Sequence, residues 1–480
     1  MNDISNLEPK IVWNFFDEIC QVPRPSKKEE KIIKYLLDFG KKYNLETVQD
    51  EIGNVLIKKA ATAGKEDLET LILQSHIDMV CEKNSDVEHD FENDPISTYI
   101  EDGWVKAKGT TLGADDGIGV AAQLAVLSSD NIEHPAIECL FTVDEETGLT
   151  GAFALQEGFL SGKTLINLDS EDDGELFIGC SGGIDTVISF EMKRRKINKN
   201  ALSFKVSVNG LKGGHSGDEI NKKLGNSNKI LGRFLFLLSK EYPIYVSDFN
   251  GGNLRNAIPR EAFATISIAK KWKGKLKKIF KKFEKDIKNE FSVSEPNVNF
   301  SLESIEMPES SVAKQLQKDF IFSLMTCPNG VVSMSQTMEN LVETSTNLAS
   351  VKFSEKEILI VTSQRSSLES AKENIANVVS SIFKNVGANV SNSDGYPGWE
   401  PNTDSKILKK TEDAYEKLFG EKPLIRAIHA GLECGLFLEK YPYMDMISFG
   451  PTINRAHSPD EELNIETTKK FWELLLEVLK

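Results

Sequence analysis

The sequence predicts an α/β protein of two domains, with a mostly parallel central sheet flanked by helices and a second α/β domain inserted into the first. Three observations carry this prediction. Short, largely apolar runs recur between residues 55 and 168 and again near 446, as strands buried on both faces require. Each run gives way at its carboxyl end to polar residues, where open α/β sheets place their ligands. From about residue 186 to 395 the texture changes to alternating strands separated by amphipathic helices. The expected division is therefore 1–185 with 396–480 as one domain and 186–395 as the insert, and 480 residues are too many for one typical domain.

In chain order, Ile11, Phe15, Phe16 and Ile19 have helical spacing, and Val22-Pro23-Arg24-Pro25 breaks the chain. Ser26 with Glu29 predicts a capping box for a helix whose stripe is Ile32, Ile33, Leu36 and Leu37. Gly53-Asn54 turns into a strand, Val55-Leu56-Ile57, and Leu71-Ile72-Leu73 is the next, running into Gln74-Ser75-His76-Ile77-Asp78. His76 and Asp78 point the same way in extended chain. An imidazole beside a carboxylate is either a base with its orienting partner or a metal ligand in its surroundings. Residues 109–119 are glycine-rich around Asp115 and Asp116 and lead into a helix; the two acids also suit the amino-terminal end of a helix dipole. Ile137 to Val143 ends in Asp144-Glu145-Glu146-Thr147-Gly148, Leu165 to Leu168 ends in Asp169, and Met446 to Phe449 is followed by a loop reaching His457. One acidic strand end is a solvated turn; five such sites carrying His, Asp, Glu-Glu, Asp and His are not explained by solvation.

Within the insert, Phe204 to Val208 and Ala264 to Ile268 alternate as strands. Asn297 to Leu302, a helical Ala313 to Leu324, Ile358 to Val361 and a helix to about Phe383 repeat the style, which predicts a duplicated α/β unit. Trp272, Leu276, Ile279, Phe280, Phe283 and Ile287 form a stripe among lysines. Such a helix suits a membrane or a calmodulin-like partner, but the net charge favours packing on its own sheet with the lysines in water. Asp394-Gly395-Tyr396-Pro397-Gly398 marks the return to the first domain.

Lys and Arg number 57 against 73 Asp and Glu, a net charge of −16. That balance disfavours nucleic acid and anionic membrane as partners. No apolar run approaches the ~18 residues of a membrane helix, and Met1-Asn2-Asp3-Ile4-Ser5 lacks signal-peptide features. The six cysteines form no CxxC pair, so a reduced, cytoplasmic protein is expected. Gly179-Cys180-Ser181-Gly182-Gly183 has the spacing of a nucleophile elbow, which needs a helix after it. Residues 184–190 alternate like a strand instead, so a serine hydrolase is not expected.

His76, Asp78, Asp115, Glu145, Glu146, Asp169 and His457 together offer two imidazoles, several carboxylates and no thiol, a set suited to a pair of borderline-to-hard divalent ions. Hydrolysis also needs a proton carrier that is not itself a ligand. Glu145 and Glu146 can divide these roles, since neighbours in extended chain do not both face one ion.

The order of these motifs resembles the co-catalytic dizinc peptidases, a family that includes carnosinases, acylases and aminotripeptidases. Gly213-Gly214-His215-Ser216-Gly217, residues 252–260 around Asn256, and His429-Ala430-Gly431-Leu432-Glu433-Cys434-Gly435 are similar to its aminoacyl-histidine (cytosol non-specific) dipeptidase branch. The resemblance spans essentially the whole chain. It implies a zinc-exopeptidase-like catalytic domain with a lid, and two Zn²⁺ for which Co²⁺ or Mn²⁺ can substitute. His76, Asp115 and Asp169 would hold one ion and Asp115, Glu146 and His457 the other, with Asp78 orienting His76. A cis peptide is implied at Asp115–Asp116. Glu145 would activate a water between the metals and then protonate the leaving amine. In the lid, His215 and Asn256 would assist at the scissile carbonyl and Arg365 would clamp the substrate carboxylate, although His215 is also readable as a turn residue and Arg365 as a surface arginine. The implied reaction is hydrolysis of dipeptides, Xaa-His and β-alanyl-histidine among them, by a monomer or homodimer. Where relatives have a short lid, a partner subunit brings the equivalent histidine; a two-unit lid would supply His215 in cis. The competing readings are an N-acyl amino-acid deacylase or tripeptidase on the same metals, and a non-catalytic scaffold, against which the retained Glu145 argues.

Overall fold

A computed structural model describes residues 4–480; the first three residues, part of the amino terminus read above, lie outside the described residues. The chain forms two compact units. One runs to Gly179 and takes up Trp399–Ala427 and Leu432–Lys480, and the other comprises Cys180–Gly398 and Ile428–Gly431. The short segment Ile428–Gly431, which the sequence reading left with the first domain, thus belongs to the insert. No described helix is long and apolar enough to cross a membrane.

In the first unit, eight strands lie in the order Glu46–Gln49, Val55–Lys59, Ile137–Thr142, Leu71–His76, Thr164–Asn167, Asp445–Ser448, Glu175–Cys180, Leu424–Ile428. The middle four are parallel. The flanks turn antiparallel, at Val55–Lys59 on one side and Glu175–Cys180 on the other. The sheet is therefore mixed, with its parallel part confined to the strands whose carboxyl ends carry the polar sites. Leu71, Ile72 and Leu73 are buried, and so is nearly every residue of the helix Ala114–Ser128, whose glycines, alanines and valines allow close packing on the sheet. The helix Lys10–Cys20 packs against that helix and buries Val12, Phe15, Phe16 and Ile19. A smaller antiparallel sheet orders Ile453–Asn454, Glu462–Asn464, Trp104–Ala107 and Thr98–Glu101, and the loop between its first two strands carries His457.

The expected capping box does not form. The helix begins at Glu30 with no side-chain cap. Ser26 Oγ instead donates to Asp78 Oδ2 at 2.8 Å, and Glu29 Oε1 accepts from the amides of Lys27 and Asp144. Tertiary partners for both side chains have displaced the local motif.

The second unit is built on one antiparallel sheet ordered Asn299–Ile305, Ala201–Asn209, Ala262–Ala269, Ile244–Gly251, Val342–Phe353, Glu357–Ser366, Gly182–Glu191, Asn389–Asn392. Its first four strands, with the helices Ser227–Glu241 and Lys273–Glu290, make a β-α-β-β-α-β unit. The last four repeat the same order around the helices Lys314–Thr326 and Glu369–Lys384. The duplication differs in detail from the sequence reading. Asn299–Ile305 closes the first unit by pairing with Ala201–Asn209, and the second unit takes Gly182–Glu191, from before the first, as its own first strand. One unit is thus nested inside the other. Leu276, Phe280, Phe283 and Ile287 join the core of this sheet, so the lysine-rich helix packs on its own fold.

Candidate metal centre

Strand direction places the first ligand. His76 ends the strand Leu71–His76, with its side chain 1 % exposed, and Asp169 follows the neighbouring parallel strand Thr164–Asn167. His76 Nε2 lies 3.0 Å from Asp115 Oδ1 and 3.3 Å from Asp169 Oδ1. His457 Nε2 lies 3.0 Å from Asp115 Oδ2 and 3.0 Å from Glu146 Oε2. Asp115 therefore turns one oxygen to each histidine, and two groups of converging donors, His76/Asp115/Asp169 and Asp115/Glu146/His457, share it. The peptide Asp115–Asp116 is cis. Asp116 turns away: its Oδ1 accepts from the Gly119 amide at 3.2 Å.

Glu145 and Glu146 do not lie in extended chain. Asp144 adopts a left-handed backbone (φ 50°) and Glu145–Gly148 form one helical turn. Asp78 anchors this turn while facing His76. Its Oδ1 is 3.3 Å from His76 Nδ1 and accepts from the Glu145 amide at 3.0 Å, and its Oδ2 accepts from the Glu146 amide at 3.3 Å. A helical turn, not a pleat, sets the directions of the two glutamates, and a carboxylate oxygen of each still converges with His76. Glu146 reaches His457, and Glu145 lies within the same cluster near His76.

The electrostatics ask for positive charge. His457 is pushed up to about 11 by its contacts with Asp115 and Glu146. Asp115 is pushed up by burial, but its bonds to His457 and His76 outweigh that and hold it well below the carboxylate range. Burial, followed by the like charges of Asp169, Glu146 and Glu433, drives Glu145 well upward against the pull of His76. Glu146 Oε1 is buried with no hydrogen-bond partner. Carboxylates this close, one with an orphaned oxygen, among imidazole nitrogens and without thiols, fit divalent cations of the zinc, cobalt or manganese type.

Residues that the motifs did not single out hold the centre in place. Arg24, 3 % exposed, donates through Nη1 to the carbonyls of Ile77 (3.2 Å) and Asp78 (2.7 Å) and through Nη2 to that of Gly113. Glu461 accepts from four successive amides, Leu112 (2.8 Å), Gly113 (3.0 Å), Ala114 (2.7 Å) and Asp115 (3.4 Å). The loop that delivers Asp115 is thus gripped at its carbonyl by a cation and at its amides by an anion. Gly113, at φ 69°, has to be glycine: a Cβ there would lie 2.6 Å from Arg24 Nη2. Beneath the strand ends, buried Glu433 accepts from Gln74 Nε2 (2.6 Å) and Thr142 Oγ1 (2.8 Å), and burial raises it to about 8.

The second unit collects the remaining candidates. His215 Nδ1 lies 2.9 Å from Asp218 Oδ2, and its loop is tied to that of Asn256 by the Ser216 amide donating to the Asn256 carbonyl at 2.8 Å. Arg365 is 7 % exposed, so the surface-arginine reading does not hold. Ser181 is followed directly by the strand Gly182–Glu191, not by a helix. Its hydroxyl meets His429 Nδ1 at 2.7 Å, while His429 Nε2 meets Ser345 Oγ at 2.7 Å, so no carboxylate orients this imidazole as a base.

A sequence profile of Peptidase family M20/M25/M40 matches residues 72–480. The chain is 43 % identical to the cytosol non-specific dipeptidase of Escherichia coli (strain K12), over 100 % of this chain and 99 % of that one. The crystal structure of aminoacylhistidine dipeptidase from Vibrio alginolyticus superposes with a TM-score of 0.92 at 44 % identity, covering 99 % of this chain and 97 % of the other. Aminopeptidase PepT from Bacillus cereus, at 17 % identity and a TM-score of 0.57 over 98 % of both chains, shares the fold.

Proposed function

We propose that this chain, which belongs to Peptidase family M20/M25/M40, hydrolyses the peptide bond of dipeptides, Xaa-His among them, with two zinc ions held by His76, Asp115 and Asp169 and by Asp115, Glu146 and His457. The observation that carries the reading is Asp115, which offers one carboxylate oxygen to each of two histidine-containing groups. Full-length identity above 40 % to proteins named as dipeptidases supports the substrate class. The metals, when bound, supply Lewis acidity and a water of lowered pKa.

The chain's own groups do the rest. Asp78 fixes the Nδ1 side of His76 and, through the amides of Glu145 and Glu146, the turn that aims both glutamates. Glu145, with no ligand role, takes the proton of the attacking water and returns it to the leaving amine. In the lid, His215 and Asn256 donate to the scissile carbonyl oxygen as charge develops on it. Arg365 receives the free carboxylate of the substrate through parallel N–H groups. Among the described residues no disulfide joins the six cysteines, which supports a reducing, cytoplasmic setting.

The test is a rate panel with defined metal content. Xaa-His and other dipeptides are expected to be cleaved by protein loaded with Zn²⁺, Co²⁺ or Mn²⁺ and left intact after chelation. N-acetyl amino acids and tripeptides are expected to react far more slowly. Full activity in protein shown by elemental analysis to be metal-free would remove the dinuclear mechanism, and preferential cleavage of N-acetyl amino acids would make the chain a deacylase.

A further inference from the structure

Arg365 sits in one row across the sheet of the second unit. Its strand neighbours are Ser345 on one side and Gly183 on the other, and Gly183 bridges onward to Tyr396. Gly183 leaves its place in the row open, and the Tyr396 ring occupies it. A Cβ on Gly183 would lie 2.7 Å from that ring, and one on Gly431 would lie 2.8 Å from the ring on its Cε2 side. The backbone of Tyr396 is fixed as well. It exchanges two hydrogen bonds with Gly183 (2.9 and 3.0 Å), and its carbonyl accepts from the buried Lys372 Nζ at 2.6 Å. Held in this way, Tyr396 Oη accepts from Arg365 Nη1 at 2.9 Å.

Arg365 is buried, its Nε has no hydrogen-bond partner, and among the described residues no carboxylate lies within ion-pair distance of it. The carboxylate of nearby Asp218 is engaged by His215 at 2.9 Å. A buried guanidinium is normally matched by an anion. A carboxylate at the position of Tyr396 Oη would orient the guanidinium but neutralise it. A phenol hydroxyl orients it and leaves the positive charge for an incoming anion.

We propose that Tyr396 is a positioning residue that makes the Arg365 site selective for peptides with a free C-terminal carboxylate. The proposal rests on the reading of Arg365 as the carboxylate clamp. With the hydroxyl in place, the guanidinium plane is set before substrate arrives, and both oxygens of a carboxylate meet parallel donors. Without it, the guanidinium keeps its charge but loses its orientation.

The experiment compares KM and kcat of the metal-loaded full chain for a dipeptide and for the same dipeptide as its C-terminal amide. Tyr396→Phe keeps the ring between the two glycines and removes only the acceptor. The expected result is a KM for the dipeptide raised about tenfold with kcat within about twofold, and kcat/KM for the amide unchanged. Gly431→Ala, which crowds the ring but keeps the hydroxyl, is expected to lower the acid-over-amide preference in the same direction. Arg365→Lys serves as the control on the clamp. If Arg365→Lys leaves the acid-over-amide preference intact, the clamp reading itself is wrong. If Arg365→Lys abolishes the preference while Tyr396→Phe and Gly431→Ala both retain it, the clamp stands and the role of Tyr396 is overturned.

Discussion

At Asp115 a single side chain joins two groups of converging donors, with Glu145 outside both, and the proposed division of labour can be tested one residue at a time. Glu145→Gln keeps size and polarity but cannot carry a proton, and positioned acid–base catalysis is worth roughly 10²–10⁴-fold. Turnover is expected to fall by at least that range while metal content and thermal stability hold. Glu146→Gln, by contrast, is expected to lose metal, because Glu146 Oε2 meets His457 at 3.0 Å in the second group. Steady-state rates beside elemental analysis of both variants decide; near wild-type turnover in Glu145→Gln would remove it as the base. The sequence singles out Glu145, Glu146 and Asp169 because they follow apolar runs, Asp115 because it stands in a glycine-rich stretch that opens a helix, and His457 only because its loop follows another such run. Arg24, Ser26 and Glu461 were not legible as parts of the site. Glu461 accepts from an amide 349 residues away in sequence, and Ser26 serves a carboxylate 52 residues away. No local pattern marks a carboxylate whose partners are backbone amides of another segment, and the pattern present at Ser26 pointed to a helix cap.

Among the elements, the loop 112–115 is set by Glu461, whose two oxygens take four N–H groups. Glu461→Gln offers one acceptor oxygen and turns an NH₂ toward amides. It is expected to cost about 2–4 kcal/mol of stability at this buried site and to weaken metal binding ~10–100-fold, read by denaturant melts and by competition with a chelator. Unchanged values for both would make the cradle incidental to the centre. In the second unit, His429 is held neutral between two serine hydroxyls. Burial, then Arg365, with a further push from His215 against the pull of Asp218, lowers it from 6.5 to about 3. Its folded pKa lies below its unfolded one, so the unfolded chain binds the proton first as pH falls. Its contribution is complete above about 6.5 and is lost progressively toward 3. Wild-type protein is expected to lose more stability between pH 7 and 5 than His429→Gln does, and equal losses would contradict the assignment. The nested β-α-β-β-α-β units show the limit of reading elements in order. The repeat was visible as alternation, but its pairing was not, because Gly182–Glu191 finds its partners Glu357–Ser366 and Asn389–Asn392 only after the whole first unit has intervened.

For the molecule as a whole, the two nested units form one continuous sheet within a single chain, joined where Asn250 and Gly251 pair with Lys352 and Val351. A lid with one such unit has an open sheet edge at that place, and another chain is the simplest source of strands to continue it. Here the same chain continues the sheet, and the loop of His215 is anchored inside it. His215 Nδ1 meets Asp218, its backbone N–H donates to Glu219 Oε2 at 2.9 Å, and Gly217 packs against the carbonyl of His429 so closely that a Cβ would lie 2.2 Å away. The sequence-based expectation that a two-unit lid supplies His215 in cis has a direct test. Activity per chain should then be independent of protein concentration across any monomer–dimer transition, as followed by rate and sedimentation on the same samples. The sharper measurement mixes two inactive proteins, His215→Ala and Glu145→Gln. If sites were shared between subunits, a mixed dimer would pair an intact His215 with an intact Glu145 at one of its two sites and recover activity. With each chain complete in itself, every site in the mixture carries one lesion, and the rate is expected to stay at the sum of the two variants' residual rates.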